Sequence, residues 1–146
     1  MTATGSTPVV DVSTEFGAHV AERLGRETIA WLTTVGRSGT PQPNPVWFLW
    51  RDGEFLVFSQ ANQAKLKNIT GNPRISLHLN STEHGGEVAV LTGDARIDEA
   101  GATPEEIAEF STKYTQGFVD IKMPAEQFYA TYSTLIRIRP DRLRGF

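Results

Sequence analysis

The segment from Thr40 to Trp50 carries proline at alternate positions, which are Pro41, Pro43 and Pro45. Proline has no backbone N–H, and alternate residues of a strand direct their N–H groups to the same side, so the missing donors fall along one edge. The residues between the prolines keep their donors and can pair on the other side. The segment is therefore predicted to be a strand at the edge of a sheet, or one that faces something other than protein.

The residues that follow predict a hairpin. Asp52-Gly53 is a two-residue turn signal. The chain then returns through Glu54–Ser59, which is rich in aromatic and β-branched residues and is predicted to be a strand.

A short helix is predicted after this hairpin, with Asn62 as its N-cap, Gly71 just past its end and Pro73 as a stop. Asn62 as the cap would place Lys65 at N3, in the first turn. Free N–H groups, the positive end of the helix dipole and an ammonium group would then converge, which favours a phosphate. The Ser59 hydroxyl could supply one more donor. The alternative interpretation of this local pattern is that Lys65 is a surface lysine exposed to solvent.

The rest of the chain predicts further strands and helices. The predicted strands are 29–34, 74–80 with strict alternation of apolar residues, 87–97 with a bulge or corner at Gly93, and 134–139, stopped by Pro140. Helices are predicted over 13–24, from Thr103 with a capping box to Glu106, and from near Pro124. The pattern predicts a mainly β protein, a six- or seven-stranded antiparallel barrel with peripheral helices. We expect one domain over 1–146, with residues 1–26 as a helical or partly disordered extension.

Composition narrows the function classes. The 146 residues carry a net charge of −3, which argues against a dedicated nucleic-acid binder. Cysteine is absent, so thiolate chemistry is excluded, and the three histidines have no metal-binding spacing. With no membrane-length apolar run and no visible secretory signal, we expect a cytoplasmic protein with no metal, nucleic-acid or membrane partner.

The ordered set of motifs from about Thr28 to the C-terminus resembles the flavin- and deazaflavin-dependent split β-barrel oxidoreductases, which are related to pyridoxamine-phosphate oxidase. The motifs are the first strand, the turn 36–39, Pro-Gln-Pro-Asn-Pro-Val-Trp-Phe, Phe58-Ser59, the helix with Lys65, and Asn-Pro-Arg-Ile-Ser-Leu. Pyridoxamine-phosphate oxidases carry an arginine where this chain has Ala64. The chain is more similar to actinobacterial members that use coenzyme F420, an 8-hydroxy-5-deazaflavin, and end in Arg-Pro-Asp-Arg-Leu-Arg-Gly-Phe.

The resemblance implies an F420-dependent reductase that transfers a hydride from the deazaflavin to a small organic acceptor of unknown identity. It also implies a homodimer with cofactor sites at the subunit interface. The implied cofactor-binding residues are Pro43, Asn44, Pro45, Val46, Trp47, Phe58, Ser59, Gln63, Ala64 and Lys65. Alternatives are an FMN-dependent oxidoreductase of the same fold, and a non-catalytic protein that binds flavin, deazaflavin or haem. No catalytic residue is assigned.

Three further groups of side chains receive a predicted role. Phe48 and Trp50 are expected in the core, while Trp47, on the opposite strand face, contacts either the cofactor or a partner subunit. Glu105-Glu106 is interpreted as charge that favours a helix N-terminus. Four C-terminal arginines form either a solvated face or a site for cofactor carboxylates, and Arg37 and Arg74 are alternative residues for that site. The four are Arg137, Arg139, Arg142 and Arg144.

Overall fold

Seven antiparallel strands and five helices build the protein, as described over residues 7–146 of a computed structural model. The strands are β1 (Ala30–Val35), β2 (Pro41–Val46), β3 (Leu49–Arg51), β4 (Glu54–Ser59), β5 (Arg74–Leu79), β6 (Ala89–Ile97) and β7 (Thr134–Gly145). The helices are α1 (Glu15–Arg26), α2 (Ala64–Gly71), α3 (Pro104–Lys113), α4 (Thr115–Asp120) and α5 (Ala125–Thr131).

The sheet has the order β2-β1-β5-β6-β7-β4-β3, so its two outermost strands are consecutive in the chain. Only Trp47 and Phe48 separate β2 from β3. A linker this short holds the two edges within about 11 Å of each other, because successive Cα atoms lie about 3.8 Å apart. The sheet must therefore curl, and the predicted antiparallel barrel with peripheral helices is confirmed.

Strand β2 lies at an edge and pairs only with β1 among the described strands, as the alternate prolines predict. The prediction of one extended segment from Thr40 to Trp50 is wrong in one respect, because the strand breaks at Trp47 and Phe48. The strand breaks there because the two parts of the segment pair with different strands. β2 pairs with β1, whereas β3 pairs with β4 across the predicted Asp52-Gly53 turn, where both residues have positive φ.

Two hydrophobic clusters lie on opposite sides of β4. Phe55 and Val57 face the barrel interior, where they join an aliphatic core that also contains Leu32 and Leu77. Phe48 is fully buried in the same core, as predicted. Alternation along β4 directs its other face toward the helices.

The second cluster is aromatic and joins the outer face of β4 to α3, α4 and α5. Its buried members are Leu49, Leu56, Phe110, Tyr114, Phe118, Phe128 and Leu135. The strand is therefore covered on both faces, and the helical layer is attached to the barrel mainly through aromatic rings. Helix α4 was not predicted, because Thr115–Asp120 lacks a capping side chain.

Strand β7 continues to Gly145, so the prediction that Pro140 stops it is wrong. Pro140 lies opposite Gly93, where the register between β6 and β7 shifts. Proline is tolerated at a bulge because the ladder is already interrupted there. A Cβ on Gly93 would lie 2.2 Å from the carbonyl oxygen of Arg139, which explains why glycine occupies the predicted bulge.

The helix ends follow local capping rules. Helix α3 has the predicted capping box between Thr103 and Glu106. Helix α1 begins at Glu15, two residues after the predicted start, because Thr14 accepts a hydrogen bond from the Gly17 N–H. The prediction for residues 1–6 lies outside the described part of the chain. No helix of residues 7–146 is long and apolar enough to cross a membrane.

Candidate functional site

A pocket of about 310 Å³ opens where the ends of β2 and β4 meet the start of α2 and the α4–α5 helical layer. Its lining residues are Pro45, Val46, Trp47, Phe58, Ser59, Gln60, Gln63, Lys65, Ile121, Phe128 and Tyr132. Lys65 is the one charged side chain among them. The pocket therefore combines a single cation with a largely apolar and aromatic wall.

The start of α2 differs from the prediction in its cap. Gln63, not Asn62, is the N-cap residue, and its side chain makes no capping hydrogen bond. Asn62 adopts φ 64°, the left-handed conformation that asparagine tolerates in turns. Lys65 therefore lies at N2 rather than N3. The first-turn N–H groups of α2 receive no side-chain cap, and its first turn contains no acidic residue.

The Lys65 ammonium is held in an unusual environment for a lysine. Its side chain is half-buried, and burial lowers the pKa of its amino group below the ordinary value. Within residues 7–146 it forms no ion pair. A cation that is partly desolvated and unneutralised attracts an anion more strongly than a solvated one.

Ser59 lies at the end of β4 and is buried beside this lysine. The predicted role for its hydroxyl was as a donor to a phosphate. In the structure the hydroxyl donates to the backbone carbonyl of Gln60 at 2.9 Å. A ligand oxygen at this position would have to compete with that local bond.

The opposite wall is a column of parallel aromatic rings. Trp47 stacks on Tyr114 with ring centroids 4.5 Å apart and planes 5° apart, and on Phe128 at 5.5 Å. Phe128 in turn stacks on Tyr132 at 4.7 Å and 22°. The column thus runs from the core to the rim of the pocket.

The column is fixed at its inner end. The Tyr114 hydroxyl donates to the Thr28 carbonyl at 2.9 Å and accepts from the Phe48 N–H at 2.8 Å. Gly117 on α4 lies against the other part of the Trp47 indole, where a Cβ would come within 2.8 Å. Trp47 is therefore held between two helices, which orients the indole toward the pocket.

Seven of the ten cofactor-binding residues that the sequence suggested line this pocket: Pro45, Val46, Trp47, Phe58, Ser59, Gln63 and Lys65. Pro43 and Asn44 lie farther along the exposed part of β2, and Ala64 is exposed at the start of α2. Sequence reasoning did not identify four lining residues: Gln60, Ile121, Phe128 and Tyr132. Three of these follow Lys65 by more than fifty residues, and the sequence predicted no site role for the helix from near Pro124.

Arg137 is not part of a basic C-terminal face. It is buried and donates to both Glu106 carboxylate oxygens, at 2.8 and 2.9 Å, and to Asp98 at 2.6 Å. The Arg137 guanidinium lowers the pKa of Glu106 to about 2. Glu106 is therefore more than helix N-terminal charge, because it joins α3 to β7. Arg74 is also occupied, by Asp94 and Asp141.

The histidines give no indication of a metal site. His19 contacts Glu87, and His78 bonds to the Leu79 carbonyl and stacks on Trp31. No group of three potential metal-binding side chains occurs among residues 7–146.

Comparison with known proteins identifies the family. The profile of the pyridoxamine 5′-phosphate oxidase family matches residues 16–146, which is most of the chain. The chain therefore belongs to the pyridoxamine 5′-phosphate oxidase family. No curated protein sequence matches it.

Solved structures with the same fold have diverse functions. An F420 reductase has 21% identity and a TM-score of 0.61, with 84% of this chain and 94% of the reductase covered. The haem-storage protein HutZ from Vibrio cholerae has 15% identity and a TM-score of 0.67, with 90% and 95% covered. An FAD-binding protein from Mesorhizobium loti has 16% identity and a TM-score of 0.64, with 86% and 90% covered. At these identities the likeness supports the fold alone.

Proposed function

We propose that the protein is an F420-dependent reductase, which transfers a hydride from the reduced deazaflavin to a small organic acceptor. The observation that carries this proposal is the half-buried Lys65 ammonium. It has no acidic partner among residues 7–146, and it lies at the uncapped start of α2, facing an aromatic wall. An anionic group attached to a planar ring system matches both halves of this pocket.

The residues present fit such a cofactor. Lys65 and the first-turn N–H groups of α2 would hold its phosphate, and Pro45, Val46 and Trp47 would lie along its ring. The bound deazaflavin would supply the hydride chemistry, while the protein orients the ring and excludes water. The remaining predicted contacts, at Pro43, Asn44 and Ala64, would then belong to parts of the cofactor that extend beyond the pocket.

A homodimer is part of the proposal. The pocket of about 310 Å³ lies at the lower end of the range for ligand sites. A cofactor with a long tail, together with an acceptor, needs further surface. A second copy of the chain at the open side of the pocket would supply it, in a cytoplasmic enzyme.

FMN is the alternative cofactor, because Lys65 and the helix N-terminus would hold its phosphate equally well. Haem storage is less well supported. Of the side chains that commonly ligate haem iron, the lining offers a tyrosine, Tyr132, but no histidine, cysteine or methionine.

The test is a parallel titration of the purified apo-protein with oxidised F420, FMN and haem, followed by quenching of tryptophan fluorescence. Saturable binding of F420 at micromolar or lower concentration, with FMN and haem clearly weaker, is the expected result. Oxidation of reduced F420 in the presence of an acceptor would then separate an enzyme from a carrier. Tighter binding of FMN would move the assignment to the alternative, and failure of all three to bind would overturn a cofactor role.

A further inference from the structure

The two-residue linker between β2 and β3 joins two different environments. Trp47 lines the pocket that contains Lys65, whereas Phe48 is fully buried in the barrel core. The next residues, Leu49 and Trp50, line a second cavity of about 530 Å³, whose other walls are the end of α1 and the end of α3. The orientation of Trp47 therefore depends on how the backbone of this linker is held between the two cavities.

Two consecutive residues at the end of α3 hold the backbone of Phe48. Lys113 is the last residue of α3, and its ammonium group donates to the Phe48 carbonyl at 2.9 Å. The Tyr114 hydroxyl accepts from the Phe48 N–H at 2.8 Å. The Lys113 nitrogen also lies 3.7 Å from the centroid of the Phe48 ring, which adds a cation–π contact. Both backbone polar groups of Phe48 are therefore bound by the end of α3.

The same lysine is anchored to a second helix. Its ammonium group donates to the Leu24 carbonyl at 3.2 Å, in the last turn of α1. Free carbonyls and partial negative charge at a helix C-terminus favour a cation there. Lys113 forms no ion pair within residues 7–146, and burial lowers the pKa of its amino group to about 8. Lys113 thus connects α1, α3 and the linker through backbone carbonyls alone.

The path from Lys113 to the candidate site is one residue long. Trp47 precedes Phe48, and its indole stacks on Tyr114 with ring centroids 4.5 Å apart. Its indole N–H donates to no other residue of 7–146. The orientation of Trp47 therefore depends on ring stacking and on the position of the linker backbone, and Lys113 binds that backbone.

We propose that Lys113 is a positioning residue for the candidate site, which holds the linker so that the Trp47 indole lies along the ring of the bound cofactor. Lys113 itself lines the second cavity, not the pocket that contains Lys65. This inference rests on the proposed function, because it takes Trp47 as part of the ring-binding wall.

The test separates binding of the ring from binding of the phosphate. The ring probe is 8-hydroxy-5-deazariboflavin, or riboflavin if the cofactor titration selects FMN, and neither molecule carries a phosphate. The phosphate probe is inorganic phosphate, followed by the backbone amide NMR signals of the first turn of α2. A third measurement needs no ligand: fluorine NMR of protein labelled with 5-fluorotryptophan reports on Trp47, and a Trp47→Phe variant assigns its signal.

The variants form a graded series: Lys113→Met, Lys113→Gln and Lys113→Arg. Thr112→Met is the matched control, because Thr112 is an exposed neighbour that makes no hydrogen bond to the linker within residues 7–146. Water in the second cavity can reach the carbonyls that Lys113→Met leaves free, so we expect this variant to fold, and circular dichroism checks it. At about pH 7 the amino group of Lys113 is protonated, since its pKa is about 8.

We expect Lys113→Met to weaken binding of the ring probe by about 3- to 10-fold, within the range for residues that act on a site through a neighbour. Lys113→Gln, which keeps neutral donors, should lose less. Lys113→Arg keeps a cation with several donors and should restore most of the affinity. Phosphate binding at α2 should be unchanged throughout. The Trp47 fluorine signal should shift in Lys113→Met and stay in place in Thr112→Met.

The outcomes separate the two proposals. Unchanged affinity for the ring probe in folded Lys113→Met would overturn the positioning role and leave the reductase proposal intact. Equal losses for the ring probe and for phosphate would also overturn it, because the whole fold would then have loosened. If no flavin or deazaflavin probe binds the unsubstituted protein, the proposed function fails. The fluorine signal then decides alone: a shift in Lys113→Met supports the hold on Trp47, and an unchanged signal overturns it.

Discussion

The N-termini of α2 and α3 contrast in how their free groups are satisfied. At α3, Thr103 and Glu106 form a capping box, and Arg137 neutralises the Glu106 carboxylate. At α2 no side chain caps the helix, and the nearest charge is the cation Lys65. At α3 the protein's own side chains satisfy the N-terminal N–H groups, and the start of that helix serves as a structural joint between α3 and β7. At α2 the N–H groups without a side-chain cap lie beside a cation, which favours the binding of an anionic ligand.

The largest expected effect is on the structural joint. Glu106→Ala should lower the free energy of unfolding by about 3–5 kcal/mol, because it leaves the buried Arg137 guanidinium without its main partner. Urea denaturation measures this change. Glu105→Ala, an exposed substitution in the same helical turn, should change stability by less than about 0.5 kcal/mol. The comparison fails if both variants are equally stable, or if cofactor affinity falls in folded Glu106→Ala.

The same joint predicts a pH dependence. The Arg137 hydrogen bonds lower the pKa of Glu106 from about 4.5 to about 2. A depressed folded-state pKa means that stability is present above about pH 4.5 and is lost as the pH falls toward 2. Unfolding free energies measured over this range should decline more steeply for the unsubstituted protein than for Glu106→Gln. Parallel declines would show that the pair does not carry this dependence.

The proposed ligand-binding role of the α2 N-terminus is tested by Lys65→Ala. This change should weaken cofactor binding by about 1–3 kcal/mol, because a charged hydrogen-bonding partner is lost. Fluorescence titration gives the affinity. Lys67→Ala, an exposed lysine of the same helix, should bind the cofactor like the unsubstituted protein. An unchanged affinity in Lys65→Ala would remove this lysine from the site.

The smallest expected effect comes from giving α2 a side-chain cap at its N-terminus, as α3 has. Gln63→Asp places a capping carboxylate at a residue whose backbone is already extended, and should stabilise the protein by about 0.5–1 kcal/mol. The same carboxylate should weaken cofactor binding, since it occupies the N–H groups and repels an anion. Thermal unfolding and titration measure the two effects. Gln60→Asp adds the charge without a cap, so it should lower affinity without raising stability.

Sequence reasoning succeeded where the determining contacts are local. The Asp52-Gly53 turn, the Thr103 capping box and the edge position of β2 follow from residues within a few positions of each other. The prediction failed at Pro140, since the register between β6 and β7 shifts directly beside that proline and so makes it acceptable within β7. It failed at Asn62 because the chain there makes a turn before the helix begins.

The candidate site divides in the same way. The pocket half that contains Lys65 lies within one motif region and could be inferred from spacing and resemblance. The aromatic half also needs Phe128 of α5 and Tyr132, which lie more than sixty residues after Lys65. Outside the site, the structural joint between Glu106 and Arg137 likewise spans 31 residues. Such contacts depend on how the helical layer packs on the barrel, which no local pattern specifies.

The prolines of β2 also have a consequence for the behaviour of the protein at high concentration. An unpaired strand edge is a template on which another chain can add a strand, and repetition of that step produces aggregates. Along the exposed edge of β2, prolines at alternate positions remove the donors that such an addition needs. The same residues that leave this edge unpaired therefore also protect the protein against edge-to-edge aggregation.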